Sequence, residues 1–206
     1  MYPLRMSQSR SPTHRPTWVL VLSCAMLLHG GFTLVGGLLT IRDPKAIVAV
    51  ASRSAGRASL APELADRLTA VDESILDRHM GGVRFNAAAG ILFGLYTLYA
   101  VSAILSRDRH GRALALGVAA LSVVHQIASL PLAIRMAREV AAASAPFLVA
   151  ADKAAAAAEL VGELQAKSIR PPIFLMVFTL LWCGVIALYF GGRAGRQLYG
   201  LEAPRA

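Results

Sequence analysis

Residues 17–41 form one long apolar segment, TWVLVLSCAMLLHGGFTLVGGLLTI. It contains no Asp, Glu, Lys or Arg, and its single histidine, His29, lies near the middle. An α-helix rises about 1.5 Å per residue, so roughly 20 apolar residues cross a hydrocarbon core about 30 Å thick. The segment is also far longer than the roughly 7–15 apolar residues of a cleavable signal. It therefore predicts an uncleaved transmembrane helix.

Three further apolar segments follow, at residues 86–105, 113–134 and 171–191. Together with residues 17–41 they predict an all-α polytopic membrane protein with a four-transmembrane-helix bundle. The polar segments between them are a tail at 1–16, a linker at 42–85, a short basic turn at 106–112, a second linker at 135–170 and a tail at 192–206.

Both linkers have helix-forming composition. In the first linker, Asp43-Pro44 predicts a short helix through residue 54, and Pro62 predicts the start of a longer one that ends at Gly81-Gly82. In the second, Ser144 and Pro146 predict a break.

The helix predicted from Pro62 carries an apolar stripe of Leu64, Leu68, Val71 and Ile75, spaced i, i+4, i+7 and i+11. We expect this stripe to be buried against one of four surfaces: the second linker, another subunit, the membrane surface or a partner protein. We favour the second linker, through Phe147, Leu148, Leu160, Val161 and Leu164. The two linkers would then form a small extracytoplasmic helical cap.

The net charge of +9 comes from 21 Lys and Arg against 12 Asp and Glu. These basic residues flank apolar segments instead of forming one basic face, so nucleic acid is not the expected partner. The two tails and the short turn hold nine arginines and two acidic residues. This distribution favours a protein of the cell (inner) membrane with both termini in the cytoplasm. Abundant Ala, Arg and Gly are typical of a GC-rich bacterial gene.

Transmembrane helices associate through small residues and hydrogen bonds. Each apolar segment carries residues of this kind at helical spacing. The helix-packing candidates are Gly37, Gly90, Gly94, Ser122, Gln126, Ser129 and Cys183. Cys24 and Cys183 have no spacing typical of zinc or redox sites, and we expect both to be buried packing residues rather than a disulfide.

His29 and His125 each lie twelve residues after the start of their apolar segment, and the two segments run in the same direction. We therefore expect the imidazoles at one depth, near the bilayer midplane. They are candidates for axial ligands of haem b, for a proton relay, or for neutral side chains that hydrogen-bond to neighbouring helices. The favoured interpretation is the last of these, a neutral imidazole that hydrogen-bonds to a neighbouring helix, with Thr33, Ser122, Gln126 or Ser129 as available partners. His79 and His110 lie in polar segments, where we expect them to be solvated.

No phosphate loop, HExxH or GxSxG motif is present, so we assign no catalytic residue and no metal site. The sequence favours a non-catalytic sensor, scaffold or accessory subunit that acts through the linker helices. Its expected partners are the lipid bilayer and a further copy of the chain or another protein. The alternatives are a redox protein with haem or quinone at His29 and His125, and a small-solute or ion transporter or channel with a polar path past His29, Gln126 and Asn86.

Overall fold

A computed structural model of the chain describes residues 17–45, 62–152 and 157–199. The described part is all-helical and contains no strand, as predicted. The helices are α1 (Thr17–Arg42), α2 (Pro62–Leu105), α3 (Gly111–Asp152), α4 (Ala157–Gly191) and α5 (Arg193–Leu198).

Four of these helices are long and apolar enough to cross a membrane: α1, α2, the Gly111–Phe147 part of α3 and the Arg170–Gly191 part of α4. Their outer faces carry large apolar side chains, of which Phe32 is 77% exposed and Leu188 is 79% exposed. So much exposed apolar surface suits hydrocarbon and not water. The prediction of four apolar helices that could each span a membrane is confirmed.

Helix α2 runs without interruption from the first linker into the second apolar segment, so the predicted helix end at Gly81-Gly82 is wrong. A helix that ends at glycine usually places it at positive φ, and neither glycine has that conformation. A Cβ at position 82 would lie 3.0 Å from Leu132 Cδ2, so Gly82 lets α3 approach closely. The 44 residues of α2 extend for about 66 Å.

The break predicted at Ser144 and Pro146 is also absent, because α3 continues to Asp152 with Pro131 and Pro146 inside it. Likewise, α4 begins at Ala157 and passes through Pro171 and Pro172. Proline removes one hydrogen bond from the helical ladder, a loss that packing and neighbouring groups can offset. Three of the four spanning helices therefore continue well beyond the apolar segments.

Neighbouring helices pack in chain order, α1 on α2, α2 on α3 and α3 on α4. All four contribute to one buried cluster near the turn that joins α2 to α3. Its members are Val19, Leu22, Met26, Phe93, Ala100, Val101, Ile104, Ala115, Val118, Ala119, Cys183, Ile186 and Phe190. We call this end of the molecule the turn-side half, and the end towards the two linkers the linker-side half.

The turn itself comprises residues 106–110. Arg107 adopts a left-handed backbone conformation with φ of 57°, and the Asp108 carboxylate accepts a hydrogen bond from the His110 amide at 2.7 Å. The Nε of Arg112 donates to the Phe190 carbonyl oxygen at 2.6 Å, which ties the start of α3 to the end of α4. Tyr199, just after α5, packs its hydroxyl against Gly111. Contacts within the turn and contacts from the turn to the end of the chain's last helices therefore pack together at this end of the molecule.

Several predictions fall outside the described residues. They are the tail at 1–16, the remainder of the short helix and the loop at residues 46–61, and the C-terminal residues 200–206. The side chains of Leu148, Leu160, Val161 and Leu164 also lie outside the description, so the packing of one linker on the other stays a prediction.

Candidate functional site

The two histidines of the apolar segments contact the same aromatic ring. The centroid of Phe93 lies 5.7 Å from that of His29, edge to face, and 6.1 Å from that of His125, stacked. These side chains come from α1, α2 and α3, and we call the three of them the histidine layer. The layer separates the turn-side half from the linker-side half.

Two axial histidines bind a haem only if a planar opening of porphyrin width lies between them. Phe93 is 6% exposed and packs against both imidazoles, so the histidine layer has no such opening. These residues do not fit a haem held by His29 and His125. Among the described residues, no group of three or more His, Cys, Asp or Glu side chains is placed to hold a metal ion.

A cavity of about 360 Å³ lies on the linker side of the layer, between α1 and α3 and floored by α2. We call it the polar groove. Its lining residues are Phe32, Thr33, Gly36, Gly37, Thr40, Val83, Asn86, Ala87, Gly90, His125, Ser129, Leu132, Ala133 and Met136. It is a lateral groove that begins at the histidine layer and reaches the linker-side end of α1.

The polar side chains in this groove differ in whether they already have a hydrogen-bond partner. Thr33, Thr40 and Ser129 donate to carbonyl oxygens of their own helices, at 2.7, 2.7 and 3.1 Å. Asn86 and His125 are half-buried, and neither side chain has a hydrogen-bond partner among the described residues. These two side chains can therefore bind a ligand without breaking an existing bond.

A second cavity of about 350 Å³ lies between α2 and α3 and is also lined by Asn86 and His125. We call it the apolar cleft. Its other lining residues are Phe85, Ala89, Leu92, Phe93, Tyr96, Leu121, Val124 and Ala128. Of these only Tyr96 carries a polar group, which donates to the Leu114 carbonyl oxygen at 3.4 Å. Asn86 and His125 thus face space on two sides.

The turn-side half is closed by apolar packing. Met26, Ile186 and Phe190 are each 0% exposed, and they come from α1 and α4. This packing leaves the groove as a recess within the linker-side half and gives no support to a polar path from one side of the four helices to the other.

The glycines singled out in the sequence lie where α1 and α2 approach most closely. A Cβ at Gly37 would stand 2.7 Å from the Ala87 carbonyl oxygen, and one at Gly94 would stand 2.7 Å from the Gly30 carbonyl oxygen. Gly90 has more room, with its nearest neighbour, a Thr33 methyl, at 3.4 Å. Only glycine allows the backbones to meet at Gly37 and Gly94.

The remaining packing candidates lie on α3 and α4. Ser122 is buried and donates to the Val118 carbonyl oxygen at 2.8 Å, and Cys183 on α4 is buried as well. Gln126 is half-buried, and its backbone carbonyl oxygen accepts a hydrogen bond from the Ser129 hydroxyl at 3.1 Å.

The expectation that both cysteines are buried is wrong for Cys24, which is exposed, whereas Cys183 is buried. Cys24 falls beside the stripe that α1 buries, which is Val19, Leu22, Ser23, Met26, Gly30 and Gly37. The apolar composition of the segment concealed this difference, because lipid-facing and buried positions are equally apolar.

Two ionic contacts join helices in the linker-side half, and the sequence alone did not reveal either. The Glu139 carboxylate on α3 accepts one hydrogen bond from Arg78 at 3.1 Å, and its other oxygen lies 3.0 Å from His79 Nε2. The His79 side chain is only 13% exposed, so its predicted solvation is wrong, whereas His110 is exposed. The partners lie 60 residues apart, so no local pattern links them.

The second ionic contact lies just beyond α1. The Lys45 ammonium group lies 3.4 Å from Asp77 and 3.5 Å from Glu73, both on α2. The hydrogen bond to Asp77 and the charges of both carboxylates raise the pKa of Lys45 above its ordinary value. These contacts fix the end of α1 beside the extended part of α2.

Comparison with known protein families, with characterised proteins and with solved structures finds no match to this chain.

Proposed function

We propose that this chain is a non-catalytic membrane protein of the sensor, scaffold or accessory-subunit class, and that it acts through the helices that extend beyond the membrane. In this proposal the four apolar segments form one bundle, and the linkers form a cap outside the cell membrane. Partners bind the cap.

The observation that carries the proposal is the continuity of α2. The helix passes from the apolar segment to Pro62 with no break, so residues 62–85 form an extension about 36 Å long. A continuous helix transmits a shift or tilt at one end to the other, because a packed helix moves as a unit.

The ionic contacts support the same proposal. Glu139 joins the extensions of α2 and α3, and Lys45 joins the end of α1 to α2. The apolar stripe on α2 is buried at Leu68 and Ile75. These contacts support a surface formed by the α2 extension with α3 and the end of α1, of the kind that partner recognition needs.

Photo-crosslinking in native membranes tests where partners bind. We place p-benzoylphenylalanine at Ser74, exposed on the α2 extension, and at Leu188, exposed on the spanning part of α4. We expect one defined protein adduct from position 74 and lipid adducts from position 188, and the purified partner should bind the purified chain. Protein adducts confined to position 188, or none from position 74 and neighbouring exposed positions, would contradict the proposal.

Cysteine labelling tests the proposed orientation. In a Cys24→Ala background, where the remaining Cys183 is buried, Ser74→Cys and Ser106→Cys each place one exposed thiol on either side of the apolar part of α2. A membrane-impermeant maleimide applied to intact cells is expected to label position 74 and spare position 106. The reverse pattern would place the termini and the short turn outside.

A further inference from the structure

We propose that the polar groove binds an uncharged lipid whose head carries carbonyl or hydroxyl oxygens, with Asn86 and His125 as its hydrogen-bonding residues. This inference rests on the groove and holds whether or not the extensions bind a partner protein.

The first observation is the unused hydrogen-bonding capacity of the groove. The Asn86 amide carries two donors and one acceptor oxygen, and the His125 imidazole carries a donor and an acceptor. Within hydrocarbon, a polar group without a partner costs free energy, which the threonines of the groove avoid by bonding to their own helices. An oxygen-bearing head placed between Asn86 and His125 would supply the missing bonds.

The second observation is the absence of charge. No Asp, Glu, Lys or Arg lines either the polar groove or the apolar cleft. A phosphate or carboxylate head in the groove would be removed from water with no ionic partner, at a cost that hydrogen bonds to an amide and an imidazole do not repay. The groove therefore suits a neutral head.

The third observation is the size of the groove and its opening. A volume of about 360 Å³ lies at the small end of the range of ligand pockets, so it holds a head group and the first part of a chain. Phe32 at its rim is 77% exposed on the outer face of α1. The rest of the lipid's acyl or isoprenoid chain would therefore remain in the bilayer, and the lipid would enter the groove laterally.

A matched pair of glycines on α1 provides the test. Gly36 lines the groove and Gly31 does not, and a Cβ at either position would meet nothing within 4 Å. Gly36→Leu therefore adds a large side chain at the wall of the groove, and its Cβ meets no neighbouring helix. Gly31→Leu adds the same side chain to the same helix outside the groove and serves as the control.

The probes are decylubiquinone, with a carbonyl head, and 1,2-dioctanoylglycerol, with a hydroxyl and ester head. Dioctanoylphosphatidylglycerol is the charged comparison. Binding to the full chain in detergent is followed by native mass spectrometry and by the rise in unfolding temperature with probe concentration. We expect saturable binding of at least one neutral probe, and the tighter of the two identifies the head chemistry.

We expect Gly36→Leu to weaken binding of that probe at least tenfold and Gly31→Leu to leave it unchanged. Asn86→Leu and His125→Phe each remove hydrogen-bonding groups at similar size, and each is expected to weaken binding by about five- to tenfold. His125→Phe keeps the stacking on Phe93, so its effect reports the lost nitrogens.

Several results would overturn the inference. The first is that neither neutral probe binds saturably, and the second is that the charged lipid binds as tightly as the neutral probes. The third is that the affinity for the neutral probe is unchanged in Gly36→Leu, and the fourth is that it is unchanged in both Asn86→Leu and His125→Phe. A change of oligomeric mass in Gly36→Leu without any probe binding would show that a second copy of the chain fills the groove.

Discussion

The two halves of the molecule use the same helices but pack them differently. In the turn-side half all four helices meet in one buried apolar cluster that includes Met26, Ile186 and Phe190. In the linker-side half, α1 and α3 flank a groove on α2 and leave Asn86 and His125 with space beside them. Phe93 and the two histidines mark the boundary.

This difference separates a closely packed region from a region that contains open space. Close packing makes the turn-side half costly to deform. The linker-side half combines a cavity with helices that continue beyond the apolar segments, so whatever fills the groove contacts the helices that carry the extensions. Four experiments test this contrast, in order of expected effect.

The largest difference is expected between two variants that each remove one aromatic ring, one in each half. Phe190 is 0% exposed in the apolar cluster, and Phe32 is 77% exposed at the groove. Phe190→Ala should lower the free energy of unfolding by about 3–5 kcal/mol, because it leaves a cavity. Phe32→Ala should change it little, since lipid or detergent fills the space. Both are measured by unfolding in detergent, and similar losses would remove the distinction between the halves.

The second comparison uses two adjacent glycines in the linker-side half. A Cβ at Gly37 would stand 2.7 Å from a backbone oxygen of α2, whereas one at Gly36 meets open space. Gly37→Ala should destabilise by about 1–3 kcal/mol because the helices must separate. Gly36→Ala should be neutral or stabilising by up to about 1 kcal/mol, as a better helix former. Equal unfolding temperatures for the two variants would refute the close contact of α1 with α2.

A smaller effect is expected where the helices leave the apolar segments. Glu139→Gln removes the charge that Arg78 and His79 share, and it should cost about 1 kcal/mol, since Arg78 is largely exposed. Hydrogen exchange should report the change as faster exchange at the ends of α2 and α3, with the spanning parts unaffected. Asp66→Asn, an exposed carboxylate on the same extension, is the control. Equal exchange in both variants would show that Glu139 does not hold the extensions together.

The smallest effect is expected at the closed end. The Tyr199 hydroxyl is buried without a hydrogen-bond partner among the described residues. Burial, followed by the charges of Asp108 and Tyr189, raises the pKa of Tyr199. Removing the hydroxyl with Tyr199→Phe should therefore be neutral or stabilising, by about 0.5 kcal/mol, because an unsatisfied buried group is lost.

The pH dependence of this variant follows from the raised pKa. The folded protein holds the phenol proton more tightly than the unfolded chain does. The stability linked to it is thus complete below the ordinary pKa of 10.0 and falls as pH rises through the folded-state pKa. Tyr199→Phe should lose less stability than the wild type between neutral and strongly alkaline pH. Identical pH profiles would show that Tyr199 is not the group responsible.

The amino-acid sequence by itself determined the all-helical architecture and the four apolar helices. Length and hydropathy are local properties, and crossing hydrocarbon demands both from one continuous segment. The sequence also singled out Gly37 and Gly94, since small residues are what close helix contact requires.

Only the tertiary structure decided the rest. Glycine and proline weaken a helix locally, yet α2 continues without interruption through Gly82, which packs against Leu132 of α3. The contact of Glu139 with His79, the Phe93 ring against both histidines and the open space beside Asn86 all join residues distant in the chain. Which side chains meet depends on how whole helices are placed, and no local pattern of residues contains that information.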